Sequence, residues 1–209
     1  SGALASGWNV VNGSWYWFDG ETYAMREGWL NDGGSWYWLA DGGDGRMATG
    51  WQMVNGAWYY LDPEEGGAMA TGVKAVQGAA YFFAGSGAMA AGWCADGGAW
   101  RYASPSGALA SGWNVVNGSW YWFDGETYAM REGWLCDGGS WYWLAGGGDG
   151  RMATGWCQIG GVYYFFSGSG AMEHDCWVGD YYLTSSGAMA SDAWIGGYHV
   201  GADGKWDNR

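Results

Sequence analysis

The sequence predicts an all-β fold, a solenoid of about ten β-hairpins of roughly 20 residues each, and three observations carry that prediction. Gly-Trp or a near equivalent recurs at Trp8, Trp29, Trp51, Val73, Trp93, Trp113, Trp134, Trp156, Trp177 and Trp194. Asn-Gly or Gly-Gly stands a few residues after most of these, between two short runs of β-forming residues, which is the strongest local hairpin signal. Aromatic residues make up 20% of the chain, too many for a disordered glycine-rich segment, because they supply the apolar surface that offsets chain entropy.

The first unit shows how each element is read. Trp8-Asn9-Val10-Val11 and Ser14-Trp15-Tyr16-Trp17 flank Asn12-Gly13, and a two-residue type I′ turn there places Val11 opposite Ser14 and Trp8 opposite Trp17. Side chains alternate between sheet faces, so Trp8, Val10, Trp15 and Trp17 share one face and Asn9, Val11, Ser14 and Tyr16 the other. A lone two-stranded hairpin is marginal in water, which predicts that successive units stack and bury the aromatic face. The following segment, rich in Gly, Asp and Ala and carrying Met25, reads as the connection to the next hairpin. The turn recurs as Asn55-Gly56 and Asn117-Gly118, and as Gly-Gly at Gly33, Gly97, Gly138 and Gly160. Gly179-Asp180 and Gly196-Gly197 close shorter hairpins in the last two units.

A longer repeat overlies the short one. Residues 1–51 match residues 106–156 except that Asn31 becomes Cys136 and Asp41 becomes Gly146, and the offset of five units reads as duplication of a five-unit block. The organisation predicted is one repeat domain over 1–209, divided into a first block (1–105), continuing units (106–169) and shortened final units (170–209).

Charge and composition exclude several classes of function. Eight Lys and Arg against 21 Asp and Glu, a formal net charge of -13, argue against nucleic acid, whose binding depends on neutralising phosphates. The same field concentrates cations near the surface. No apolar run is long enough to span a membrane, and the start SGALASGW lacks the regions of a signal peptide, which reads as a mature or excised chain. Two histidines and no nucleophile motif give no catalytic triad, and pairs such as Glu64-Glu65 fall in glycine-rich turns, so no enzyme and no cofactor are expected. No metal site is expected either, because no C-x2-C spacing is present and the calcium-binding nonapeptide is absent around Asp41, Asp44 and Asp149.

Gly-Trp, a turn glycine, Trp-Tyr-Tyr and Gly-x-Met at a period near 20 resemble the cell-wall-binding repeats of choline-binding proteins, to which repeats of glucan-binding enzymes and clostridial toxins are related. The resemblance implies a superhelical β-solenoid with ligand cages between successive hairpins, on an extracellular, secreted or surface protein. Each cage takes the Gly-Trp tryptophan and first triplet aromatic of one unit, the third triplet aromatic of the next, and often a Met. Carried over, this gives Trp8, Trp15 and Trp38 with Met25; Trp29, Trp36 and Tyr60 with Met47; and Trp51, Trp58 and Phe82 with Met69. In the second block it gives Trp93, Trp100 and Trp122 with Leu109; Trp113, Trp120 and Trp143 with Met130; and Trp134, Trp141 and Phe165 with Met152. The fourth unit carries Val73 and Ala80 at the two leading positions, and no cage is expected there.

The implied function is non-catalytic binding of a cell-wall polymer, either choline-bearing teichoic acid held by cation-π attraction or a glycan stacked on aromatic faces. Packing is the competing role for every one of these aromatics, and a rigid spacer the competing function. Four cysteines allow three complete pairings; the separation of Cys157 and Cys176 favours that bridge, with Cys136 to Cys157 as the alternative.

Overall fold

Residues 4–207 are described by a computed structural model, whose regular secondary structure is almost wholly short antiparallel strands. They form two compact units, one running to Gly98 and including Tyr102–Leu109, the other comprising Ala99–Arg101 and the chain from Ala110 onward. In the first lie β1 (Gly7–Val11), β2 (Ser14–Phe18), β3 (Gly28–Asp32), β4 (Ser35–Leu39), β5 (Gly50–Val54) and β6 (Ala57–Asp62). There too are β7 (Ala68–Met69), β8 (Gly72–Val76), β9 (Ala79–Phe83) and β10 (Gly92–Asp96), with the division falling inside β11 (Ala99–Ala103). The second holds β12 (Gly112–Val116), β13 (Ser119–Phe123), β14 (Gly133–Asp137), β15 (Ser140–Leu144), β16 (Gly155–Ile159) and β17 (Val162–Phe166). Its shorter strands are β18 (Cys176–Val178), β19 (Tyr181–Leu183), β20 (Ala193–Ile195) and β21 (Tyr198–Val200).

Every hairpin has the register its turn demands. Trp8 opposes Trp17 and Val10 opposes Trp15 across β1 and β2, and Trp113 opposes Trp122 in the same way. Asn12 and Gly13 both have positive φ, 50° and 82°, as a type I′ turn requires. Gln77-Gly78 makes the same turn in the fourth unit, at 50° and 86°.

The deepest core is not the aromatic triplet but the residue after it. Leu39, Leu61 and Phe83 in the first unit, and Phe123, Leu144, Phe166, Leu183 and Val200 in the second, are wholly shut from solvent. Each burial contributes about 1.5–3 kcal/mol. Seven of these residues bridge backbone to backbone with the Met segment of their own repeat, Leu39 to Met47 and Phe166 to Met172 for example, and Val200 bridges Trp206, so the connecting segment returns as a partial third strand.

Two contacts fix the step from repeat to repeat. The N–H of Met47 donates to the carbonyl of Trp15 at 2.8 Å, that of Met89 to Trp58 at 2.8 Å, that of Met152 to Trp120 at 2.9 Å and that of Met189 to Tyr163 at 2.8 Å. Each Met side chain also lies flat against a glycine two residues before the next Met: Met25 on Gly45, Met69 on Gly87, Met130 on Gly150 and Met152 on Gly170. At Gly45 a methyl group would collide with the Met25 thioether and force it to shift, and the backbone there has φ +63°, a conformation glycine adopts without strain.

The aromatic face is therefore not buried as stacking alone predicts. Trp15, Trp36, Trp58, Trp120 and Trp141 remain between 42 and 46% exposed. The load of stacking is carried by the residue after the triplet and by the Met-Gly contact, which leaves the first triplet aromatic at the surface.

Candidate binding cavities

A hairpin has two faces, and the register decides what meets what. The Trp8 face of the first hairpin looks toward the second repeat, so the second hairpin, stacked in the same sense, must present its opposite face. That face carries the middle residue of the triplet. Trp8 meets Tyr37 edge-on at 5.1 Å and its own neighbour Trp15 at 6.4 Å, two nearly perpendicular aromatic walls. Met47, drawn in by its hydrogen bond to Trp15, and Gly66 complete a cavity of 270 Å³.

The arrangement repeats within each unit. Trp29 meets Trp36 at 6.4 Å and Tyr59 at 4.8 Å; Trp51 meets Trp58 at 6.3 Å and Tyr81 at 4.8 Å. Trp51, Trp58, Tyr81 and Met89, with Pro105 and Ser106, line a cavity of 340 Å³. In the second unit Trp113 meets Trp120 at 6.4 Å and Tyr142 at 4.9 Å, and Trp134 meets Trp141 at 6.2 Å and Tyr164 at 5.0 Å.

The third aromatic expected for each cage is thus replaced. Trp38 packs across its own hairpin on Trp29 at 5.1 Å, Tyr60 on Trp51 at 5.3 Å, Trp143 on Trp134 at 5.3 Å and Phe165 on Trp156 at 5.3 Å. Phe82 opposes Val73, and Trp122 opposes Trp113. These residues share a face with the Gly-Trp tryptophan of their own hairpin and so look onward, away from the preceding one. The Met at the Trp8 cavity is correspondingly Met47 and not Met25, and at the Trp51 cavity Met89 and not Met69. Trp93 packs on Tyr102 at 5.3 Å within the first unit, while the carbonyl of Trp100 accepts from the Met130 N–H within the second. Leu109 bridges Ala103 and donates its N–H to Ala80.

Two further cavities lie where the sequence reading named none. Trp156, Tyr163, Tyr181, Met189 and Asp203 surround 280 Å³, and Trp177, Gly179, Asp180, Tyr198 and Trp206 surround 430 Å³. The signal for Tyr37, Tyr59, Tyr81, Tyr142, Tyr164 and Tyr181 is present in the sequence as the middle residue of each triplet; face-to-back stacking is the rule that selects it.

The polar surroundings orient this aromatic frame. The indole N–H of Trp8 donates to Asp32 and that of Trp113 to Asp137, both at 3.0 Å, which fixes the ring and sets a carboxylate at its edge. Asp44 and Asp149 are each held by two hydrogen bonds from Arg46 and Arg151, which lower their carboxyl pKa values and occupy the oxygens a calcium ion would need. Among the described residues no group of three or more His, Cys, Asp and Glu side chains converges. Among the described residues Cys94, Cys136, Cys157 and Cys176 form no disulfide. Cys157 lies opposite Tyr164 in β16 and β17 and Cys176 opposite Leu183 in the next hairpin, and the structure bridges neither Cys157 to Cys176 nor Cys136 to Cys157. Burial raises the thiol pKa of both. Among the described residues no helix is long and apolar enough to cross a membrane.

Comparison with known proteins agrees with this geometry. Models of the choline-binding repeat match residues 27–71 and 171–206, and a model of the cell wall binding repeat matches 132–152 and 154–172. No curated protein sequence matches. Among solved structures, CbpJ of Streptococcus pneumoniae TIGR4 is similar at 26% identity and TM-score 0.72, over 97% of this chain and 93% of that one. Choline binding protein F of Streptococcus pneumoniae is similar at 26% identity and TM-score 0.70, over 97% and 92%; a second structure of it, in the presence of a peptidoglycan analogue, aligns at 35% identity and TM-score 0.61 over 92% and 61%. The choline-binding domain of CbpL of the same species is 33% identical over 98% of both chains, with TM-score 0.50. By these matches the chain belongs to the family of choline-binding, cell-wall-binding repeat domains.

Proposed function

We propose that the chain is a non-catalytic module of a secreted or surface protein that holds cell-wall polymer through its aromatic cavities, with choline-like quaternary ammonium groups preferred. The observation that carries this reading is that the first triplet tryptophan is half-exposed beside an open cavity, when a purely structural aromatic would be covered. A quaternary ammonium donates no hydrogen bond and sheds its water at little cost, so aromatic walls suit it. Each wall contributes roughly 0.5–2 kcal/mol. The net charge of -13 favours a cationic over an anionic group.

The fourth repeat speaks against a pure spacer. There Ala80 stands in place of a cage aromatic, yet its carbonyl still accepts the inter-repeat hydrogen bond, from Leu109 at 2.8 Å. The scaffold keeps its step without the aromatics, so something other than stacking accounts for them elsewhere. Calorimetric titration with choline tests the reading: heat and a choline-dependent gain in thermal stability are expected in the millimolar range, and their absence removes it. Glycan binding is the second reading, favoured by the peptidoglycan analogue present with choline binding protein F. Retention on insoluble peptidoglycan that free choline fails to displace would support it.

A further inference from the structure

Cavities built by the same rule are not chemically alike, because each takes one wall from a third repeat. The Trp8 cavity combines Trp8 and Trp15 of the first repeat, Tyr37 and Met47 of the second, and Gly66 from the turn of the third. The Trp51 cavity takes Pro105 and Ser106 from the corresponding turn two repeats on. At the Trp156 cavity the corresponding residue is Asp203. Its Oδ1 accepts the backbone N–H of Lys205 at 3.1 Å, which fixes the carboxylate in an Asx turn. The Lys205 ammonium is paired with Asp180 at 3.3 Å and not with Asp203. So of these three cavities only the Trp156 one has a carboxylate in its lining; Asp32 beside Trp8 is taken by the indole N–H, and Asp180 in the Trp177 cavity is paired with the Lys205 ammonium.

A purely aromatic cavity does not reward an N–H on its ligand, because such a donor loses its water and finds no acceptor. A carboxylate in the wall reverses that preference. Resting on the proposed function, we infer that the Trp156 cavity is specialised for a protonated, incompletely methylated ammonium group whose N–H donates to Asp203, whereas the Trp8 and Trp51 cavities favour the fully methylated one. Asp203 is on this account the residue that sets specificity within the array.

Methionine-methyl NMR resolves the sites, since Met47, Met89 and Met189 each line one of the three cavities. The intact chain is titrated with choline and, separately, with N,N-dimethylethanolamine at neutral pH, where the latter is protonated. Choline is expected to move all three methyl signals. N,N-dimethylethanolamine is expected to move Met189 at a concentration about tenfold lower than Met47 and Met89, the scale of one charge-assisted hydrogen bond. Asp203→Asn keeps the turn acceptor but not the charge and should bring Met189 into line with the others, with thermal unfolding as the check on its fold. Ser106→Asp should move Met89 toward the behaviour of Met189. Equal response of the three signals to N,N-dimethylethanolamine, or an unchanged Met189 in Asp203→Asn, overturns the inference alone. No response of any signal to choline overturns the proposed function beneath it.

Discussion

At the scale of single residues, a few positions carry backbone strain and close packing together. Gly45 has positive φ, and a β-carbon there would push the Met25 thioether out of its place. Gly45→Ala is expected to destabilise the chain by about 2 kcal/mol, combining overpacking with backbone strain. Equilibrium denaturation measures it, and a second change, Met25→Ala, should recover part of the loss by removing the clash while the strain persists. Tyr23 and Tyr128 occupy the equivalent position in their repeats with φ of 58° and 59°, which shows the left-handed backbone is demanded there even of a non-glycine residue.

At the scale of the element, β6 ends in a group that titrates. Asp62 is 2% exposed, is paired with Lys74 of β8, and accepts the N–H of Glu64 as cap of the short 3-10 turn Pro63–Glu65. The hydrogen bond from Lys74 lowers the Asp62 pKa, and the same contact raises that of Lys74. A depressed carboxyl pKa stabilises fully above the unfolded value, near 3.9, and that contribution vanishes as pH falls through the folded value. The raised lysine loses its share only as pH climbs past its own folded value, so the pair is complete across the neutral range. Asp62→Asn is expected to cost about 2 kcal/mol at neutral pH. Denaturation midpoints should show that this difference narrows on acidification below about pH 4. An equal difference at all pH values would contradict the pairing.

The hairpins were legible because their cause is local: Asn12-Gly13 can adopt the double positive φ of a type I′ turn, and period-two alternation then fixes every partner from Trp8 to Trp17. Face and pairing within one hairpin follow from the sequence alone. The neighbour across the gap does not, because it depends on whether repeats stack face to face or face to back. The family resemblance directed attention to Trp38, on the same face as Trp29, while the backbone bond from Met47 to Trp15 brings up the opposite face and with it Tyr37. Leu39 and Phe83 were hidden for a similar reason: only the returning Met segment, invisible as a strand in the sequence, covers them.

For the molecule as a whole, the recurrence of weak cavities matters more than any one of them. On the proposed function, a polymer that displays a ligand many times would engage several at once, and the effective concentration of the second group after the first is bound would raise retention by orders of magnitude without a new contact. Variation among the cavities, from Gly66 to Ser106 to Asp203, then becomes a way for one chain to read a mixed pattern of groups. All of this rests on the cavities accepting a cation between one hairpin and the middle aromatic of the next. A crystal structure of the chain grown with saturating choline tests that claim most directly. Trimethylammonium density should lie between Trp8, Trp15 and Tyr37, and between Trp51, Trp58 and Tyr81. Empty cavities at those positions, or choline seated against Trp38 or Phe82 instead, would contradict it.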